Sequence, residues 1–431
     1  NFVITRYNID GTLDNTFSSD GKVSIDFGGQ DYLTDIAIQT DGKIVLVGST
    51  SGTDESFAIA RLKANGTMDN SFNGNGKLIF DFSGNLSADL ISAVAIQSDG
   101  KIVVAGTANS AFAVARFTTS GVVDSSFGNN GKATAGFGVG TTSSSSAIAL
   151  QADGKIVVGG ACYGTNIDFA LCRYTVNGSL DNTFSLDGKT TTDVSGIPET
   201  IRAVAIQPDG KIVACGTSNG ADLALARYQP DGFLDLSFSG DGKLLTDFNG
   251  NSETGECMVL QPDGKILVGG VQNGGAALVR YNTDGSLDNT FDGDGLTTTS
   301  LINKAADLAL QADGRIVVAG FSGAPQVFAA ARFLSGLSLG LTDFVDNQVK
   351  LVVYPNPVAD NAVAEYELNS EERITISLLD INGRVVQTIV EHEFQRRGKH
   401  QIVLPMAPLM AGTYLLSISN GSGAVSTRFV K

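Results

Sequence analysis

Tryptophan is absent from the 431 residues, histidine occurs twice, cysteine four times and proline nine times. Both histidines, His392 and His400, lie near the C-terminus, so the first three quarters of the chain hold no Ser–His–Asp or Cys–His arrangement. Basic side chains are also scarce: 29 against 45 acidic ones, a net charge of −16. Nucleic-acid binding draws on clustered Lys and Arg, so this deficit excludes a phosphate-backbone partner. No apolar run reaches the ~18 residues that a membrane-spanning helix needs. Few prolines and no long charge block speak against disorder. Glycine, in contrast, is abundant, at 52 residues. The composition is that of a folded, turn-rich, acidic protein.

Two phrases repeat. The first is Gln-x-Asp-Gly-Lys/Arg-Ile-Val/Leu, opening at Gln39, Gln97, Gln151, Gln207, Gln261 and Gln311. The second opens on an arginine, runs through an aspartate eight residues on, and closes on a phenylalanine. It reads Arg6, Asp14, Phe17; Arg61, Asp69, Phe72; Arg116, Asp124, Phe127; Arg173, Asp181, Phe184; Arg227, Asp235, Phe238; and Arg280, Asp288, Phe291. A seventh copy keeps Arg332 and stops. A tandem array with a period near 54 residues follows. The chain opens inside this pattern, at Asn1-Phe2-Val3 with no Met or leader, which reads as a fragment or processed form whose signal peptide lay upstream.

Each unit carries four short Val/Ile/Phe/Ala segments bounded by Gly, Asn, Asp and Ser, in the first unit over 22–27, 35–39, 43–49 and 57–62. Gln-x-Asp-Gly is a tight hairpin signal, because glycine supplies the positive φ such turns require. Four strands per 40–55 residues is the period of a propeller blade. The expected fold is all-β: a β-propeller of six complete four-stranded blades, an orphan strand at residues 2–7 from a truncated blade, then a small β-sandwich. On this reading the long connector, residues 8–22, runs from one blade to the next. Its phenylalanine plugs the junction, and its aspartate pairs with the arginine eight residues before it or with the equivalent arginine of the adjacent blade.

After Phe333 the repeat ends. Residues 345–431 carry a net charge of −1 against −15 for the rest, and their alternation suggests six or seven strands of a sandwich. The expected domains are 1–335 for the propeller, 336–348 for a linker and 349–431 for the sandwich.

The array resembles the delta-60 repeat family, on Gln-x-Asp-Gly-Lys-Ile-Val-Val and Arg-Tyr-x-x-Asp-Gly-x-Leu-Asp-x-Thr-Phe. That resemblance implies a propeller-like repeat in a secreted bacterial protein, and no particular activity. The tail resembles the type A sorting domain of the type IX secretion route. The matching residues are Tyr354, Pro355, Asn356 and Pro357, the Asp380 to Gly383 turn, Gly412 and Tyr414, and the closing Lys431. This resemblance implies the type IX machinery as partner, and export to the medium or cell surface of a Gram-negative bacterium.

The repeated aspartates recur in every unit, so they read as structural, and no aberrant blade with an odd carboxylate pair stands out. The stretch from Asn282 to Asp288 mimics part of an EF-hand loop whose first and last ligands are missing, and Asp288, Asp292 and Asp294 are the weak calcium candidates in another geometry. No other cofactor is expected. Glu391, His392 and Glu393 alternate faces of a strand and read as surface. The cysteines, Cys162, Cys172, Cys215 and Cys257, mostly replace alanines of other units and read as buried thiols. The repeated Tyr7, Tyr174, Tyr228 and Tyr281 read as packing, while 136–146 and 216–222 read as variable polar loops. The functional expectation is a secreted or surface-displayed, non-enzymatic scaffold for binding or adhesion, with a glycan or protein ligand. The alternative is a polysaccharide-acting enzyme or a calcium-dependent glycan binder.

Overall fold

The computed structural model describes all residues except 52–54, 85–88, 219–221, 248–252, 312–313, 324–326, 334–350, 355–361, 369, 381–384, 405, 407–408, 410–411 and 421–422. Among the described residues the regular structure is entirely β, in thirty-two strands. Each Gln-x-Asp-Gly phrase closes a hairpin: Gln39 N–H bonds Lys43 O at 2.8 Å and Gly42 N–H bonds Gln39 O at 2.9 Å. The turn glycine sits at φ +79° here and at +79° to +85° in the other five copies, a region closed to most side chains.

The strands assemble as repeated four-stranded antiparallel sheets. In blade 1 (residues 30–80) the order is Gln30–Ile38, Ile44–Ser51, Glu55–Leu62 and Lys77–Phe80. Blades 2 to 5 (90–135, 142–192, 199–246 and 253–299) repeat it, and blade 6 (304–333) shows three described strands. The two middle strands of blades 1 to 5 are buried on both faces, as in Ile44–Ser51 and Glu55–Leu62, because each of these blades is covered by a neighbour on either side. One core spans blades 1 and 2 and includes Val45, Val47, Phe57, Ile91, Val94 and Ile102. Full burial of each such side chain stabilises the fold by about 1.5–3 kcal/mol.

The blade boundaries differ from the sequence expectation by one strand. Lys22–Ile25 does not open blade 1; it pairs with Phe2–Thr5, with Phe2 opposite Ile25. Likewise Lys77–Phe80 returns to Glu55–Leu62. The long connector therefore lies inside a blade, between its third and fourth strands. Its own hydrogen bonds explain why. Arg61 N–H bonds Gly76 O and Asp69 N–H bonds Arg61 O, both at 2.9 Å, so the connector is pinned at both ends to the strand it leaves. Among the described residues the array accordingly holds five four-stranded sheets, a two-stranded sheet at its start and a three-stranded one at its end.

The tail forms a three-stranded sheet (Val352–Tyr354, Ala362–Leu368, Gly398–Leu404) and a four-stranded one (Val385–Gln395, Glu372–Asp380, Thr413–Asn420, Gly423–Val430). Both contribute to one core containing Val353, Ala364, Tyr366, Ile374, Ile376 and Leu416, which makes the region a sandwich.

Candidate functional site

The second repeated phrase builds a clasp at the five junctions from Arg6 to Arg227. Arg61 Nε donates to Asp69 Oδ2 at 2.8 Å, and Arg116–Asp124, Arg173–Asp181 and Arg6–Asp14 match that distance, with Arg227–Asp235 at 2.7 Å. A second guanidinium nitrogen crosses to the next blade: Arg61 Nη1 reaches Thr119 O at 2.5 Å and Arg116 Nη1 reaches Val176 O at 2.6 Å. Arg173 and Arg227 make the same bond to Pro230 O and Thr283 O. The guanidinium also lies over the phrase's phenylalanine, 4.6–4.9 Å from the ring centroid in the five pairs from Arg6–Phe17 to Arg227–Phe238. Each ring presses on a glycine of the following blade. A Cβ on Gly121 (φ +82°) would stand 2.7 Å from Phe72.

The aspartate is saturated as well as paired. Burial alone would raise the Asp181 carboxyl, but donation from Thr183 and Lys155 and the Arg173 charge outweigh it and hold it at about 2. Asp235 is held at about 2 in the same way, against its burial, by Ser237, Lys211 and Arg227.

Above two of the clasps, those of Arg61 and Arg227, lies a cleft. Between blades 4 and 5 it has a volume of about 400 Å³ and is lined by Gln207, Asp209, Lys211, Arg227, Ser237 and Asp284. Between blades 1 and 2 an equivalent cleft of about 380 Å³ holds Gln39, Asp41, Lys43, Arg61 and Ser71. The charges are paired within the protein: Lys211 Nζ lies 3.5 Å from Asp209 and 3.2 Å from Asp235, which also holds Arg227. No aromatic face lines these clefts. Tyr174, Tyr228 and Tyr281 are fully buried, and the hydroxyls of Tyr228 and Tyr281 donate to Thr192 and Thr246 at 2.8 and 2.7 Å.

At the axis the repeat is broken. Every innermost strand of blades 1 to 5 carries a β-bulge, whose extra residue is Thr34, Ser92, Ser146, Arg202 or Glu256. The residue after the bulge is Ala93, Ala147, Ala203 or Cys257 in blades 2 to 5, but Asp35 in blade 1, and Asp307 takes the matching position of blade 6. The sequence shows no odd carboxylate pair within one blade; this pair is divided between blades 1 and 6. These acids sit 272 positions apart in the chain, and only the fold brings them within electrostatic reach. Burial raises the Asp35 carboxyl, the amides of Val94 and Ile36 pull it back, and the Asp307 charge adds to the rise, leaving it at about 6. Burial raises Asp307 too. Nearby, Lys304 Nζ pairs with Glu256 Oε1 at 2.9 Å.

Comparison with known families matches these features to two of them. A family described as a domain of unknown function (DUF5122) β-propeller matches 39–72, 97–127, 151–184, 207–238, 261–291 and 311–339, one segment per repeat. A secretion-system C-terminal sorting domain matches 352–431. The chain belongs to the DUF5122 β-propeller family and ends in a type IX sorting domain. It is a secreted or surface-directed protein. No curated protein matches the chain. Among solved structures it is similar to a putative 6-phosphogluconolactonase from Bacteroides uniformis (9% identity, 86% of this chain and 88% of that one, TM-score 0.46). It is also similar to a protein from Lactobacillus plantarum (11% identity, 93% and 98%, TM-score 0.45) and to one of unknown function from Dyadobacter fermentans (13%, 71% and 95%, TM-score 0.45).

Within the propeller two acidic triplets bring one oxygen per residue within 4.8 Å of one another: Asp168, Asp193, Glu199 and Asp222, Asp247, Glu253. Glu199 caps the loop into its blade, accepting from Val194 N–H at 3.0 Å and Ser195 N–H at 2.6 Å, as Asp89 does from Phe82 N–H at 2.7 Å. Asp288, Asp292 and Asp294 belong to neither triplet. Asp288 Oδ1 accepts from Thr290 N–H at 3.1 Å and Asp294 Oδ1 from Leu296 N–H at 2.9 Å, both turn bonds, while Asp292 sits at φ +53°. The segment 136–146 is only partly a loop. Thr142–Leu150 is the innermost strand of blade 3, whose serines bond across blades: Ser145 Oγ donates to Gly106 O at 2.6 Å. Of 216–222, Gly216, Thr217 and Ser218 end a strand and 219–221 lie outside the described residues. The four cysteines are free and buried, with Cys162 opposite Asp168 in the hairpin.

In the sorting domain Glu391, His392 and Glu393 are exposed on one strand. Tyr354 ends the first strand and its hydroxyl accepts from Gln401 Nε2 at 3.2 Å. Asp380 pairs in register with Tyr414. Gly412 N–H bonds Lys431 O at 2.9 Å and Lys431 N–H bonds Gly412 O at 2.8 Å, while the Lys431 ammonium donates to Met406 O and Leu409 O. Pro355, Asn356, Pro357 and Gly383 lie outside the described residues.

Proposed function

We propose that the protein is a non-enzymatic binding or adhesion scaffold, exported through its sorting domain by the type IX machinery and carrying its ligand sites on the propeller. The repeated inter-blade cleft carries this reading: its ionic groups are neutralised in place, a state that suits reversible contact rather than proton transfer. Repetition supplies avidity, because a ligand held at one cleft meets the next at high effective concentration. The test is retention of the full chain on glycan-coated and protein-coated beads, with the eluate assayed for reducing ends and unsaturated products. Retention without product is the expected result; product release overturns the reading.

A second reading, chemistry on a polysaccharide, is supported by the raised Asp35 and Asp307 carboxyls, since a general acid at neutral pH needs a raised pKa. If product is released, Asp35→Asn and Asp307→Asn must each abolish it; activity that survives both removes this reading too.

A further inference from the structure

The clefts hold one group that the clasp leaves unsatisfied. Gln207 is 8% exposed and lines the cleft between blades 4 and 5, yet its Oε1 is a buried acceptor with no hydrogen-bond partner. The same atom of Gln97, Gln261 and Gln311 is in the same state. A buried carbonyl without a donor costs free energy, and a chain that repeats the arrangement in four blades has not removed that cost. Beside it, the Arg227 guanidinium has five N–H groups and bonds Asp235, Thr283 O and Ser237 Oγ. In blades 1 and 3 the corresponding arginine and glutamine bond each other weakly, Arg61 Nη1 to Gln39 Oε1 and Arg173 Nη1 to Gln151 Oε1, both at 3.4 Å. A donor and an acceptor thus stand side by side in a space of about 400 Å³.

We propose that these clefts are hydroxyl-recognition sites for an uncharged, polyhydroxylated chain: a neutral glycan. One ligand hydroxyl donates to Gln207 Oε1 and accepts from Arg227, and the equivalent pairs of other blades take further hydroxyls. Charge selects against acidic polysaccharides. Lys211 is engaged by Asp209 and Asp235 and Arg227 by Asp235, and Asp284 adds a negative charge at the rim, its Oδ1 taken by Ser286 N–H at 2.9 Å. The proposal rests on the scaffold reading above and names its ligand class.

The test uses the full chain and three probes: dextran, mannan and polygalacturonate. Binding to a neutral probe is expected, with none to polygalacturonate. Gln207→Met, close in volume, should weaken it several-fold, and the same change at Gln97, Gln207, Gln261 and Gln311 together should weaken it by about 100-fold through lost avidity. The melting temperature of both variants should hold or rise, since an unsatisfied buried acceptor is removed; a purely structural glutamine would lower it. Undiminished neutral-glycan binding by the quadruple variant, a preference for polygalacturonate, or a lowered melting temperature overturns the proposal. Retention on protein-coated beads alone overturns it while leaving the scaffold reading intact, whereas release of reducing ends removes the scaffold reading itself.

Discussion

The blade junctions and the propeller axis are made by the same sheets and handle charge in opposite ways. At the junctions the Arg–Asp pair recurs from blade to blade and each charge meets a partner, buried in the inner blades: Arg173 and Asp181 have side chains 4% and 6% exposed and stand 2.8 Å apart. At the axis the charges appear in single blades, and two carboxylates, Asp35 and Asp307, are raised by burial, with the Asp307 charge adding to the rise of Asp35 rather than relieving it. The difference teaches that repetition in this chain preserves satisfied contacts, and that departures from it are where unbalanced chemistry collects. The Gln207 carbonyl is the exception that repeats without being satisfied, which is what singles out the clefts.

The largest expected effect breaks the junction. Asp181→Ala leaves Arg173 buried without its carboxylate and should destabilise the array by about 3–5 kcal/mol in denaturant unfolding; a loss under 1 kcal/mol would mean the clasp is incidental. The sign of the pH dependence follows. Asp181 and Asp235 are depressed to about 2, so their contribution is fully present above the unfolded value near 3.8 and is lost as pH falls through 2.

Gly121→Ala tests the apolar half of the same junction. Its φ of +82° and the 2.7 Å approach to Phe72 should together cost about 2–3 kcal/mol. An unchanged melting temperature would show that blade 2 can draw back from the ring.

The axis should respond in the opposite direction. Asp35, raised to about 6, binds its proton more tightly folded than unfolded, so stability falls as pH rises from about 4 through 6. Asp35→Asn keeps an acceptor for Val94 N–H and should stabilise the protein at pH 7 by about 1–2 kcal/mol, allowing for partial exposure, and flatten that slope. Destabilisation at pH 7 would show that the charge itself is needed.

The smallest effect sharpens the junction. The Tyr174 hydroxyl is buried with only the Cys172 thiol beside it, because Ala135 stands where Thr192 and Thr246 serve Tyr228 and Tyr281. Ala135→Thr should supply the partner and stabilise by about 0.5–1 kcal/mol; a loss would mean blade 2 lacks room for the side chain.

The sequence by itself determined the repeat, its strands and hairpin turns, the presence of a separate tail with sorting-domain residues, and the recurrence of Arg, Asp and Phe at constant spacing. Those properties are local, since alternation, Asx-Gly turns and an eight-residue interval are written within one stretch of chain. Where a blade begins was not legible, because a tandem pattern has the same period wherever it is cut. Only the bonds of Gly76 and Asp69 back to Arg61 placed the connector inside the blade and sent Lys77–Phe80 to its own sheet. The serines of Thr142–Leu150 looked like a polar loop for the same reason: their partners, such as Gly106 O, lie in another blade. The tertiary structure alone decided that Asp35 lies within reach of the Asp307 charge, and that Gln207 Oε1 is enclosed without a donor beside Arg227. Burial and electrostatic energy depend on distance in space, and the sequence records only distance along the chain.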